Sequence, residues 1–142
     1  MAEVVPAAGG AAVAGFPFPA QTTNPAWSPD GASLTYIDQS DPSWNLGRIR
    51  LIGGTSERVT HFTDGRITAF AWSPDGRRLA AARKVGDASG VWVTAADGSN
   101  PVPVARFQGD EVFGLAWSQD GKHVVINAGK RSSDAVLIRN FR

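Results

Sequence analysis

The hexapeptide Ala26-Trp27-Ser28-Pro29-Asp30-Gly31 occurs three times in this chain. It returns as Ala71-Trp72-Ser73-Pro74-Asp75-Gly76 and, with one change, as Ala116-Trp117-Ser118-Gln119-Asp120-Gly121. The interval is 45 residues both times (72 − 27 and 117 − 72). A fixed period of this length marks a repeat architecture in which one supersecondary unit recurs. Ser-Pro-Asp-Gly is a tight-turn sequence: Ser accepts local hydrogen bonds, Pro presets its own backbone, and Gly accepts positive φ. Each Trp therefore ends one strand, and the strand after each Gly runs back antiparallel to it. The repeated aspartates, Asp30, Asp75 and Asp120, read as turn residues rather than as ligand or metal carboxylates.

About 40–45 residues is the length of a four-stranded propeller blade. The expected fold is all-β: a β-propeller of four-stranded antiparallel blades, three of them in this chain. With strands lettered A to D from the axis outwards, residues 1–8 form a flexible N-terminus and 9–142 the repeats. A lone D strand is expected at 12–16. One blade follows over 24–62 (strands 24–28, 33–38, 46–52 and 57–62) and a second over 67–107 (67–73, 78–83, 90–95 and 101–107). An incomplete unit covers 112–140 (112–118, 123–128 and 135–140). The segments Ile67 to Trp72 and Val112 to Trp117 are apolar on both faces, as inner strands sandwiched between blades must be. Trp27, Trp72 and Trp117 are expected between blades with their indole N–H groups bonded. With Asp30, Asp75, Asp120, Gly31, Gly76 and Gly121 they form the structural repeat.

Alternation sorts the connections onto two faces. The Ser-Pro-Asp-Gly turns share one face with the C–D turns, Gly53-Gly54 and Asp97-Gly98-Ser99-Asn100. The other face carries the B–C loops (39–45, 84–89 and 129–134) and the D–A loops (17–23, 63–66 and 108–111), which read as longer, more polar and more varied. Loops of that kind on a rigid scaffold are where binding is expected. Candidate binding residues there are Trp44, Asp64, Arg66, Asp110 and Glu111. Trp44 reads equally well as an exposed anchor for a partner and as a cover for the edge of strand C. The acidic residues precede the A strands, where a propeller's tunnel opens. They could meet a cation or a basic peptide, or could be solvated loop carboxylates.

Composition excludes several functions. Formal net charge is +1 over 142 residues, with 14 Lys+Arg against 13 Asp+Glu, which gives no basic field for nucleic acid. There is no Cys and hence no thiolate metal site or disulfide framework. No apolar run reaches the roughly 18–20 residues of a membrane helix, and the Ala/Gly-rich residues 7–15 lack the charged start and apolar centre of a signal peptide. His61 and His123 fall in different blades, away from metal-ligand spacing. Gly86-Asp87-Ala88-Ser89-Gly90 has the wrong spacing for a nucleophile elbow, and no phosphate-binding glycine loop occurs. The chain is expected to be no enzyme and to need no metal or cofactor.

Trp-Ser-Pro-Asp-Gly followed by a short apolar strand resembles the TolB-like, WD-related propeller repeat of the PD type, over residues 13–142. Phe113-Gly114-Leu115-Ala116-Trp117 together with residues 132–142, and the segment from His61-Phe62-Thr63 to Ala71-Trp72, look like the C-terminal propeller region of certain bacterial serine/threonine kinases. That resemblance implies a periplasmic or extracytoplasmic sensor or protein-interaction module of a larger bacterial protein. This chain has no kinase motif, so no phosphotransfer residue carries over, and Gln119 stands where the repeat has Pro. TolB-type propellers have six blades, so the resemblance implies that the three blades here are half of a six-bladed ring. Three blades imply a C-terminal fragment, an engineered piece, or a half-propeller closed by upstream blades or by a head-to-tail homodimer of about 30 kDa, twice the 15.0 kDa chain. The expected function is a non-enzymatic module for a protein or peptide partner. The alternatives are the accessory gating propeller of a prolyl-oligopeptidase-like hydrolase and a purely structural half-ring.

Overall fold

A computed structural model describes residues 1–131. Every regular element in it is a strand: β1 Ala2–Val4, β2 Ala14–Phe16, β3 Thr22–Trp27, β4 Ser33–Asp38, β5 Asn45–Arg50, β6 Ser56–Arg58, β7 Arg66–Trp72, β8 Arg78–Val85, β9 Ala88–Ala95, β10 Val102–Gln108, β11 Glu111–Trp117 and β12 Val124–Gly129. They form two four-stranded sheets, β3-β4-β5-β6 and β7-β8-β9-β10, flanked by two-stranded sheets β1-β2 and β11-β12. All pairs within the sheets are antiparallel. The two complete sheets are blades one and two. The strand expected at 135–140 lies outside the described residues.

The turns behave as their chemistry requires. Gly31, Gly76 and Gly121 have φ of 68°, 69° and 68°, and each donates its N–H to the carbonyl of Ser28, Ser73 or Ser118 at 2.8–2.9 Å. Each Ser Oγ donates to the Asp Oδ1 two residues on, at 2.5–2.6 Å. The same Oδ1 accepts the N–H of Ala32, Arg77 or Lys122 at 2.9–3.0 Å. The aspartates are thus consumed in building the hairpins.

The sheets stack face to face, and each interface has its own apolar cluster. Between blades one and two lie Ile37, Leu46, Val59, Ile67, Leu79 and Ala81, with Phe62, Phe70 and Trp72 packed against them. Between blade two and β11-β12 lie Ala69, Ala82, Val91 and Val112. Between β1-β2 and blade one lie Phe16, Leu34, Tyr36 and Ile49. Strand alternation explains the sorting: in β4, Leu34 and Tyr36 point to one neighbour and Ile37 to the other.

Four expectations need correction. Residues 1–8, expected to be flexible, carry β1, which pairs with β2 through Ala2↔Phe16 and Val4↔Ala14; Ala2 and Val4 pack on blade one's cluster. Trp27, expected between blades, is 49% exposed, because β1-β2 covers only part of that face. The outer strand of blade one ends at Arg58 rather than at 62. There the ladder passes to side chains: Leu46 N–H donates to Thr60 Oγ1, and the Leu46 carbonyl accepts from both Val59 and Thr60. Finally, β8 and β9 extend to Val85 and from Ala88, and β10 and β11 to Gln108 and from Glu111. The loops expected over 84–89 and 108–111 shrink to Gly86-Asp87 and Gly109-Asp110, which Gly φ values of 57° and 77° permit.

Candidate functional site

The face carrying the B–C and D–A connections separates into an inner row and an outer cleft. In the inner row, Trp44 is half-buried against the inter-blade cluster. Its backbone bridges to β7: its N–H donates to the Gly65 carbonyl at 3.1 Å, and its carbonyl accepts from Ile67 at 3.4 Å. The Arg66 guanidinium lies 5.1 Å from its ring centroid. Trp44 and Arg66, two candidates from the sequence, are therefore brought together as a cation–π pair, with Trp44 closing the seam between blades.

Further round the row, Glu111 pairs with Lys84 at 3.5 Å and Arg131 at 3.4 Å, its side chain 14% exposed. Asp110 contributes its carbonyl, which accepts from Ser89 Oγ at 2.8 Å. Asn45, at 0% exposed, fastens the loop before Asp64. Its amide donates to the carbonyls of Ser43 and Phe62, and its Oδ1 accepts from Thr60 Oγ1 and Phe62 N–H, all at 2.8–3.0 Å. His61 and His123 are both exposed.

The outer cleft, about 290 Å³, lies where blade one meets the outer strands of blade two; Asp64, Arg83, Ser89, Trp92, Pro103 and Arg106 are among its walls. Arg83 is its centre. The guanidinium sits 4.3 Å from the Phe62 ring centroid and 5.0 Å from that of Trp92, rings that themselves stand 6.0 Å apart. Its Nη2 is 3.3 Å from Asp64 Oδ1, with the Arg side chain 15% and the Asp side chain 60% exposed. Among the described residues nothing accepts from its buried Nε–H. Of the sequence candidates, Asp64 alone lines this cleft. Arg83, Phe62, Trp92 and Arg106 were not singled out, although Arg83 continues the inward-facing series Leu79, Ala81 of β8. A cation in an otherwise apolar inward series is a readable signal.

A larger hollow of about 600 Å³ lies between blade two and β11-β12. Its walls include Val93, Val102, Val104, Trp117, Val124 and Ile126. Arg78 there already donates to the Gly121 carbonyl at 2.6 Å and covers the Trp117 ring at 4.7 Å. Its chemistry is that of packing, so the smaller cleft is the better candidate site. Among the described residues, no three His, Asp or Glu side chains group to hold a metal ion, and no helix is long and apolar enough to cross a membrane.

A family model for the WD domain, G-beta repeat, matches residues 54–99. No curated protein matches the chain. Among solved structures, the chain is similar to a protein described as TolB from Agrobacterium tumefaciens, with a TM-score of 0.64, 20% identity, and coverage of 78% of this chain and 43% of that one. It is similar to TolB from Acinetobacter baumannii, with a TM-score of 0.60, 20% identity, and coverage of 72% and 25%. It is also similar to the acylaminoacyl peptidase of Pyrococcus horikoshii, with a TM-score of 0.55, 16% identity, and coverage of 75% and 20%. The chain thus spans less than half the length of each of these proteins. At such identities the likeness concerns the fold, and it agrees with the stacked sheets and the repeated turn. The described strands fold as β-propeller blades, and residues 54–99 carry the match to a WD repeat.

Proposed function

We propose that the chain is a non-enzymatic interaction module that binds a protein or peptide partner on the face carrying the B–C and D–A connections. One contrast supports this. On the opposite face, the Ser and Asp side chains of the repeated turns satisfy one another and the local backbone. On the loop face, the Arg83 cleft gathers two arginines, Asp64 and the half-buried Trp92 beside apolar walls. Charged groups converging in a concave, partly apolar site are an arrangement that a ligand can use. The resemblance noted in the sequence supports placing the module in a larger bacterial protein such as a serine/threonine kinase, as its sensor or interaction part. We likewise propose that the face around Trp27 is covered by another blade, from upstream sequence or from a second copy.

Selection of peptides from a displayed random library, mapped on the ¹⁵N-labelled chain, tests the reading. Selected peptides should shift resonances of Arg66, Arg83, Trp92 and Glu111 and leave those of Asp30, Asp75 and Asp120 unmoved. Peptides that map to the turn face, or a library that yields no binder, would defeat it.

A further inference from the structure

We infer that the Arg83 cleft is a carboxylate site, shaped to take the side chain of an aspartate or glutamate presented by a partner peptide. This deepens the interaction reading above and rests on it. The geometry begins with register. Arg83 pairs with Gly90, and Gly90 with Arg106, so the three lie side by side across β8, β9 and β10. Residues in register across a sheet point to one face, and two strand spacings put the two Arg Cα atoms about 10 Å apart. Between them stands a glycine. A Cβ at Gly90 would lie 2.5 Å from the Trp92 ring, so the absence of a side chain there lets the indole lie across the sheet. Two guanidinium groups are thus mounted on either side of an aromatic floor.

Arg83 is prepared for an anion. Its guanidinium is held over Phe62 and Trp92, which fixes the plane of the fork before any ligand arrives. Burial of a cation is costly without hydrogen-bond partners. Asp64 offsets part of the charge from the solvent side through Nη2, while Nε–H is buried and has no acceptor among the described residues. A carboxylate entering the cleft would accept from the Nη–H groups of the guanidinium, a charge-assisted pair of the strong kind. Arg106, on the exposed outer strand, supplies the second cation.

The remaining walls select for a side chain on a peptide. Val85, Ala88, Pro103 and Ala105 line the cleft and suit methylene groups or an apolar neighbour of the acid. Its volume of about 290 Å³ is at the bottom of the range for small-molecule pockets, roughly 300–1,000 Å³. Asp64 in the wall disfavours polyanions, and with a chain net charge of +1 no wider basic field recruits them.

The test follows the Arg Nε–H and Trp indole resonances of the ¹⁵N-labelled chain at low salt. The probes are N-acetylglutamate N-methylamide, its glutamine counterpart and inorganic phosphate. The glutamate probe should shift Arg83 Nε–H and the Trp92 indole saturably, and the glutamine probe should not. Arg83→Lys assigns the Nε signal and, by removing the fork, should abolish the response. Arg106→Gln, at an exposed position, should weaken binding about tenfold, the loss of one charge-assisted bond, with an unchanged unfolding midpoint. Equal response to glutamine, tighter binding of phosphate than of glutamate, or no saturable shift would each overturn the assignment. The peptide selection separates this failure from the broader one. Binders that map to the loop face but carry no acidic residue and leave Arg83 unmoved defeat the carboxylate site alone. Binders that miss the face defeat the interaction reading.

Discussion

Trp27 and Trp72 hold the same place in the repeat, yet their surroundings differ. Trp72 packs into the cluster between blades one and two, and its indole N–H donates to Thr35 Oγ1 at 3.2 Å. Trp117, one unit later, also has its indole N–H bonded, to the Ala71 carbonyl at 3.0 Å. Trp27 is 49% exposed and lines a hollow with Val4, Val5, Phe18 and Leu34. The glycines repeat the pattern. Gly98 and Gly53 lie 45 residues apart in equivalent turns (98 − 53), with φ of 83° and 88°. A Cβ on Gly98 would meet the Val59 carbonyl oxygen at 1.8 Å, whereas one on Gly53 would meet nothing within 4 Å. What differs is the neighbour: each blade's edge is completed by the blade before it. The repeat specifies a surface, and the adjoining blade decides whether that surface is core.

Removing the two indoles should give the largest separation. Trp72→Ala is expected to cost about 3–5 kcal/mol, the range for deletion of a buried aromatic. Trp27→Ala should cost about 1 kcal/mol, because half its surface already meets water. Urea midpoints of the two variants measure this, and equal midpoints would show the two slots to be equally covered. Sedimentation adds a second reading: if another copy covers Trp27, that variant should shift a species of about 30 kDa towards 15.0 kDa.

The glycine pair separates sterics from backbone conformation. Gly53→Ala should cost about 1 kcal/mol, the penalty of a Cβ in left-handed backbone. Gly98→Ala carries that penalty and must also displace the Val59 carbonyl, for a total of about 3 kcal/mol or more. Unfolding midpoints again decide. Similar values would mean that the blade-two turn does not press on blade one.

The same comparison explains what the sequence could disclose. Local rules worked where the structure is local: the strand expected at 33–38 is Ser33–Asp38, and the three turns form the hydrogen bonds their residues dictate. Contacts between units were less legible. The period assigns Trp27 the environment of its repeat partners because it says nothing of a unit's neighbour. Blade one's outer strand stops early because Thr60 and Asn45 take over backbone pairing, a tertiary arrangement of side chains 15 residues apart. β1 is not legible because Ala-Glu-Val is too short to carry a period. Among the site candidates, Arg66 and Trp44 were named separately and meet across the seam, and Asp64 was named without Arg83. Finding the cleft needs Phe62 from one blade and Trp92 from the next, which no spacing within a single repeat reveals.

The smallest effect should be blind to the difference between the two regions. Asp30, Asp75 and Asp120 all have pKa values held below the ordinary aspartate value of 3.8. The main cause at each is the hydrogen bond from the Ser two residues before, followed by the backbone N–H two residues after. Asp97 is lowered in the same way by the Ser99 hydroxyl and N–H. A carboxylate whose pKa is lower folded than unfolded adds stability that is fully present above the unfolded value. That stability is lost as pH falls through the folded value. The urea midpoint should therefore stay level from neutral pH down to about 5 and decline below about 4, where the unfolded aspartates begin to bind protons ahead of the folded ones. These bonds lie within single turns, so Asp30 on the open blade and Asp75 at the covered interface should contribute alike. Asp30→Asn and Asp75→Asn should each flatten the acid limb by the same modest amount. A markedly larger change for Asp75→Asn would show that the adjoining blade reaches into the turn's electrostatics as well as its packing.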